Sequence, residues 1–198
     1  MALDYRNSRT PEAEVDSMFI DRWSPRAFSD KPLTDCQLAG LFEAARWAPS
    51  CYNEQPWLFI YAIKPKDRER FLEALVPGNQ VWARRAPVLM FALARRRFQS
   101  NDKDNRHAAF DTGAAWMSIA LQARRLGLHA HAMAGFSRQK AYKILNVPEN
   151  DYDILAAIAV GQRCEPSVLS KEVAAQEKPN QRQPLVNVFA EGQFKKLV

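Results

Sequence analysis

Two stretches of the chain concentrate side chains able to grip an anion or steer a polar ring. In Asp21-Arg22-Trp23-Ser24-Pro25-Arg26-Ala27-Phe28, the polar residues Arg22, Ser24 and Arg26 alternate with Trp23 and Pro25. An extended backbone sends alternate side chains to one side, so two guanidiniums and a hydroxyl would face the same way. Such a set makes an anion clamp of charge-assisted hydrogen bonds. Surface arginines flanking a turn give the same pattern with no ligand. The second stretch, Ala48-Pro49-Ser50-Cys51-Tyr52-Asn53-Glu54-Gln55-Pro56-Trp57, gathers Ser50, Cys51, Asn53 and Gln55 in a turn-rich connection. Binding groups collect on loops held by rigid elements, and an ordinary helix-to-strand connection is polar as well.

Helix and strand signals flank both stretches. Residues 12–22 read as a short helix. Thr34, Asp35, Cys36 and Gln37 form a capping-box pattern, in which hydroxyl and amide satisfy each other's backbone donors. The stripe Leu38, Leu41, Phe42, Ala45 follows, and Pro49 stops the helix shortly after Trp47. Residues 57–63, led by Pro56, suit a strand, and 66–75 resume helical spacing. Residues 87–93 are almost wholly apolar, as a strand buried on both faces would be. After the polar segment 99–106, residues 108–126 are apolar on nearly all sides and end at Gly127, placed as a left-handed cap. This predicts a long helix buried in the protein or in a subunit interface. His129–Met133 predicts a strand, Arg138–Leu145 a helix introduced by Ser137, and 154–160 a strand closed by Gly161. From 163 to 198, polar stretches alternate with Pro-Leu-Val and Val-Phe, which predicts an extended arm with too little apolar surface for a core of its own. With no repeat or linker, 1–198 reads as a single domain carrying that arm. Strands separated by helices predict an α/β or α+β sandwich around a central sheet.

Composition bounds the function. The 198 residues are 47% hydrophobic, enough for a substantial core, which excludes disorder of the whole chain. No run of eighteen apolar residues occurs and the chain does not open on a basic stretch followed by an apolar core, so neither a membrane span nor a signal peptide is expected and the location predicted is cytoplasmic. Cys36, Cys51 and Cys164 are odd in number and widely spaced, which predicts free thiols. The net charge of +6 raises nucleic acid as a partner, but the densest cluster, Arg95, Arg96 and Arg97, ends an apolar run and reads as a solvated loop. An anionic cofactor accounts for the charge equally well. His129 and His131 alternate on a strand without a third metal ligand nearby, so a structural or pocket-lining role is expected and no metal. Cys51 reads as a small buried residue, and Trp47, Trp57, Trp82 and Trp116 as core or interface. No triad or carboxylate pair stands out.

Arg-x-Ser-x-Arg at 22–26, followed by Ala-Ala-Arg-x-Ala-Pro-Ser-x-x-Asn-x-Gln-Pro-Trp at 44–57, closely resembles the N-terminal signature of the nitroreductase family. The resemblance continues through Asn79, Trp82, Ala86 and Pro87, through Asp111, Gly113 and the Arg-Leu-Gly-Leu ending at Leu128, then Ala134-Gly135-Phe136, Ile158 to Gly161, and Arg182-x-Pro-Leu. It implies an α+β three-layer sandwich, with a mainly antiparallel central sheet and helices on both faces, that binds FMN at the interface of a homodimer. By this resemblance Arg22, Ser24, Arg26 and Arg182 hold the FMN phosphate, with Trp23, Pro25, Cys51, Gln55 and Asn79 beside the cofactor. Ser50 and Asn53 reach it from the partner subunit, and the backbone N–H groups of Ala134 and Gly135 approach flavin N5 and O4. Ala134 stands where family members often carry Glu or Gly, and Asn180 where some carry Lys; a backbone donor is unaffected by the first change. The activity implied is hydride transfer from NAD(P)H through the flavin to a small electron-poor acceptor, a nitroaromatic or quinone, with ping-pong kinetics. Flavin carries the chemistry, so no acid, base or nucleophile is required of the protein. Alternatives are a specialised reductase or dehalogenase of the same fold, or a non-catalytic nucleotide- or nucleic-acid-binding module.

Overall fold

The computed structural model describes residues 7–194; residues 1–6, which carried the expectation of no signal peptide, and the last part of the arm, 195–198, lie outside the described residues. The helices are α1 (Ser17–Asp21), α2 (Asp35–Arg46), α3 (Pro65–Leu72), α4 (Pro77–Ala83), α5 (Ala108–Arg125), α6 (Arg138–Leu145) and α7 (Lys171–Ala174). The strands are β1 (Trp57–Ala62), β2 (Val88–Arg95), β3 (His129–Met133) and β4 (Tyr152–Gly161), joined in the order β1-β2-β4-β3 with every pairing antiparallel.

The sheet is a septum between two cores. From β2, Leu89, Phe91 and Leu93 face one side, where Phe71 and Leu72 of α3, Trp82 of α4 and Tyr142 of α6 pack. Val88, Met90 and Ala92 face the other, against Leu38, Leu41 and Ala45 of α2 and Ala115, Ile119 and Ala123 of α5. Side chains of a strand alternate, so a strand covered on both faces must be apolar throughout, and β2 is buried from Val88 to Ala94. In β4, Ala157 and Ala159 face the first core and Ile158 the second, yet Ile154 also faces the first. A bulge explains this: Ala92 pairs with Ala156 and Leu93 with Ile154, so Leu155 is left out of the ladder and parity flips. The architecture is an α+β sandwich of three layers.

Local chemistry sets the element ends. The capping box of α2 is formed, Thr34 Oγ1 accepting from Gln37 N–H at 3.1 Å and Gln37 Oε1 from Thr34 N–H at 3.0 Å. Gly127 takes the left-handed conformation, φ +72°, just after α5. Ser137 caps α6.

Several expectations need correction. The helix expected over 12–22 is only Ser17–Asp21, because Asp16 accepts from Met18 N–H at 2.8 Å and starts it there. Upstream, the chain folds back along that helix, with the Arg9 guanidinium donating to the carbonyls of Ile20 and Arg22. The helix expected over 66–75 is Pro65–Leu72, followed by turns. Helix α4 was not foreseen; Pro77 occupies its first turn, where a missing N–H costs nothing. The arm after 163 is not wholly extended, since it forms short 3-10 turns at Pro166–Val168 and Leu185–Asn187 besides α7. The basic triplet is a solvated loop only in part, since Arg96 and Arg97 follow the strand and are exposed while Arg95 is not. Arg95 belongs to β2 and pairs with Glu54 at 3.4 Å, while Arg96 pairs with Asp153 and Arg97 with Asp102. Trp47, expected in core or interface, is 73% exposed in the single chain, which leaves only the interface. Among the described residues, no helix is long and apolar enough to cross a membrane.

Candidate functional site

The segment after α1 leaves in an extended course and is stitched to the sheet where β4 ends. Ser29 N–H donates to Gln162 O and Cys164 N–H to Ala27 O, and Phe28 bridges to Arg163. The approach is close: a Cβ on Gly161 would stand 2.6 Å from Pro87 Cδ and 3.2 Å from Phe28 Cδ1. Held this way, the segment alternates as expected. Trp23, Pro25 and Ala27 are buried, whereas Arg22, Ser24 and Arg26 line a cleft of about 650 Å³.

Three distant parts of the chain meet in that cleft. Arg9 comes from the N-terminal segment, Arg22 and Arg26 from the segment after α1, and Lys178 and Arg182 from the arm, with His131 of β3 also lining the space. No carboxylate is among the lining residues. Burial holds the Arg22 guanidinium below its ordinary value, and Arg182 lowers it further. Arg9 is lowered by burial, then by Arg182 and Arg22, with Asp21 opposing. Like charges crowded into one concavity are costly unless an anion compensates them, so this is the electrostatic signature of an anion site.

The two histidines are neutral. His131 Nδ1 lies 2.8 Å from Pro25 O; a carbonyl only accepts, so Nδ1 carries the proton and Nε2 is left as an acceptor. Burial pushes the His131 value down to about 4, with the Pro25 bond opposing and Arg26 adding to the fall. Burial, with Arg124, Arg163 and Arg22, pushes His129 down to about 3. Among the described residues, no three His, Cys, Asp or Glu side chains gather as a metal site.

Beyond His131, β3 ends at Met133 and the chain turns through Ala134 and Gly135. Asn79 Nδ2 donates to Gly135 O at 3.0 Å, Val76 N–H donates to the same carbonyl at 3.0 Å, and a Cβ on Gly135 would stand 2.6 Å from Asn79 Nδ2. Among the described residues, the N–H groups of Ala134 and Gly135 donate to no protein acceptor.

Ser50, Cys51, Asn53 and Gln55 do not reach the cleft within one chain. They form a separate loop beside the start of α5, where Cys51 N–H donates to the buried Asp111 carboxylate at 3.1 Å and Gln55 N–H to Ser50 Oγ at 3.0 Å. Tyr52, Asn53 and Gln55 have φ of 51°, 57° and 48°. Left-handed residues other than glycine are strained, and runs of them collect at functional sites. Cys51 is partly exposed rather than buried.

Sequence reasoning missed Arg9, Lys178 and Glu177. Glu177 is buried and takes Arg26 N–H on both oxygens, at 3.0 and 2.9 Å, and Ala27 N–H at 2.9 Å. Its partners are 150 and 151 residues away, so no local pattern marks it.

A model of the nitroreductase family matches residues 20–78 and 73–162. A Streptomyces coelicolor protein provisionally named NADH dehydrogenase/NAD(P)H nitroreductase is 33% identical over 93 residues, 47% of this chain and 46% of that protein, so the match spans under half of its length. A Rhodopseudomonas palustris protein of the same provisional name is 27% identical over 148 residues, 66% of this chain and 76% of that protein. The crystal structure of an oxidoreductase containing FMN is 40% identical and superposes with a TM-score of 0.91 over 96% of this chain and 98% of that one. Both matched stretches together run from before the clamp to the end of β4 and so carry every strand of the septum; the chain belongs to the nitroreductase family.

Proposed function

We propose that the protein is an FMN-dependent oxidoreductase that passes hydride from NAD(P)H to an electron-poor acceptor, a nitroaromatic or a quinone, in ping-pong order and as a homodimer. The observation that carries this reading is the convergence of Arg22, Arg26 and Arg182 on one cleft without a carboxylate.

The residues present fit FMN at both ends. Arginine forks suit a phosphate dianion, each charge-assisted bond contributing about 1.5–3 kcal/mol, and Ser24 adds a hydroxyl donor. From His131 in the cleft, three residues lead along and just past β3 to Ala134, roughly 10 Å at strand spacing and a span suited to the ribityl chain. At its far end, the N–H groups of Ala134 and Gly135 supply donors for the polar edge of the ring, and the missing Cβ of Gly135 lets Asn79 and Val76 pack against the turn that presents them. Bound FMN supplies hydride acceptance and release at N5. The chain's own residues anchor the phosphate, aim the ring edge and stabilise negative charge there. His131, neutral, presents an acceptor nitrogen rather than another cation.

The homodimer is supported by what the single chain leaves uncovered around the 50–55 loop. Tyr52 is 92% exposed, Phe110 80% and Trp47 73%, an arrangement suited to an interface core. In that assembly Ser50 and Asn53 would serve the partner's cofactor.

An oxidised-flavin spectrum in the purified protein, bleached by NADH or NADPH, tests the cofactor assignment. Arg22→Ala and Arg182→Ala should each weaken FMN binding about tenfold, corresponding to about 1.4 kcal/mol, with the double mutant falling short of the product. Riboflavin, lacking the phosphate, should bind these variants as it binds the wild type. Equal losses for FMN and riboflavin, or none for FMN, would remove the phosphate from this cleft.

A further inference from the structure

The wall of the cleft that carries Lys178 and Arg182 has little apolar anchorage. Between residues 175 and 186, only Glu177 and Pro179 are buried. What docks this wall is polar. The Glu177 carboxylate accepts the N–H groups of Arg26 and Ala27, on the opposite wall. Arg9 bridges both walls, its Nε donating to Asn180 O at 2.7 Å and its Nη1 to Ile20 O and Arg22 O at 2.9 Å each. Beside it, Gln181 Nε2 donates to Ser8 O at 3.2 Å and Leu185 N–H to Glu12 Oε1 at 3.2 Å, so the N-terminal segment and the arm are zipped together over the segment after α1.

We infer that Arg9 and Glu177 are positioning residues that latch this two-segment clasp shut, so that docking of the arm and binding of a phosphate-bearing ligand in the cleft are one coupled equilibrium. This rests on the cleft being a phosphate site, as proposed above. Arg9 spends its donors on three backbone carbonyls, so it sets the separation between Arg22 and Arg182 rather than gripping the anion through those groups. Closing the clasp brings Arg182 and Lys178 up to Arg9, Arg22 and Arg26, and like charges oppose that approach. An anion reverses the opposition, and a ligand that binds only the closed form shifts the population toward it. Hydrogen bonds with little apolar burial place the arm at the low-stability end of the molecule, where such a shift is readable.

The experiment uses the full chain stripped of flavin, with trypsin cleavage after Arg182 as the readout of an undocked arm; Lys178 is no site, because Pro179 follows it. In the wild type, FMN and millimolar inorganic phosphate should each slow cleavage, and riboflavin should not. Glu177→Gln puts an amide donor against a backbone donor, and Arg9→Lys replaces a fork by a single point that cannot span both walls. Each should speed cleavage without FMN and weaken FMN binding about tenfold, while riboflavin affinity and the thermal midpoint stay near wild type. Glu177→Asp and Gln181→Ala, gentler changes at the same clasp, should show intermediate cleavage rates, which separates loss of the latch from loss of the fold. If both latch variants bind FMN as the wild type does, or lose riboflavin in equal measure, the latch is wrong. If phosphate protects the arm but no flavin binds the wild type, the clasp stands and the cofactor assignment falls.

Discussion

At the scale of single residues, the two histidines of β3 tie stability to pH. Protonation makes a histidine charged, and burial keeps both neutral, with values near 4 for His131 and near 3 for His129 against about 6.5 in an unfolded chain. As pH falls, the unfolded chain therefore takes up protons first. The stabilisation is whole above about pH 6.5 and is lost as pH falls from there through about 4, at up to about 1.4 kcal/mol per pH unit for each ring. Urea unfolding of the flavin-free protein between pH 7.5 and 4.5 should show this acid limb, and His129→Gln should make it shallower. An identical slope in the variant would mean that His129 titrates as freely in the folded protein as in the unfolded one. His131 was legible only as a pocket-lining residue; its tautomer depends on Pro25 O, which lies 106 residues back along the chain.

At the scale of elements, the turn after β3 and helix α4 are one unit. A methyl at position 135 would meet Asn79 Nδ2 at 2.6 Å and Val76 Cγ2 at 3.0 Å, so Gly135→Ala must push Asn79 off the Gly135 carbonyl. The expected cost is about 1–3 kcal/mol. Adding Asn79→Ala makes room for the methyl, so the double variant should unfold at a higher urea concentration than additivity gives. Simple addition would show that the two side chains do not compete for the same space. This unit was half legible. Asn79, Ala134 and Gly135 stood out by family resemblance, but α4 itself, whose Trp82 is buried in the first core, was not foreseen. By contrast, α2 announced both its ends, through Thr34 with Gln37 and through Pro49, since capping is local chemistry that needs no tertiary partner. The true start of β4 at Tyr152 was hidden because Asp153 is charged and the Leu155 bulge breaks the alternation a reader looks for.

For the whole molecule, the apolar surface around Trp47, Tyr52 and Phe110 predicts the assembly. Light scattering at micromolar concentration should give the mass of a dimer, and Phe110→Glu should shift it toward the monomer with loss of FMN-supported activity. A stable wild-type monomer that keeps FMN and full activity would break the shared-site reading. Arg22, Ser24 and Arg26 stood out by residue type and alternation, and Arg182 by family resemblance alone, whereas Arg9 and Glu177 speak only to backbone and lie 171 and 150 residues from groups they hold. That separation has a bearing on time. Residues far apart along a chain pay more entropy to meet, and contacts of great sequence span form late. The central pairing of β2 with β4 already joins Val88 to Val160, but the clasp joins the two extremities of the described chain, Ser8 to Gln181 and Glu12 to Leu185. On refolding, tryptophan fluorescence should report burial of the sheet before the quenching of added FMN reports a finished cleft. A newly made chain would then pass through an interval in which it is folded by every spectroscopic measure yet blind to its cofactor.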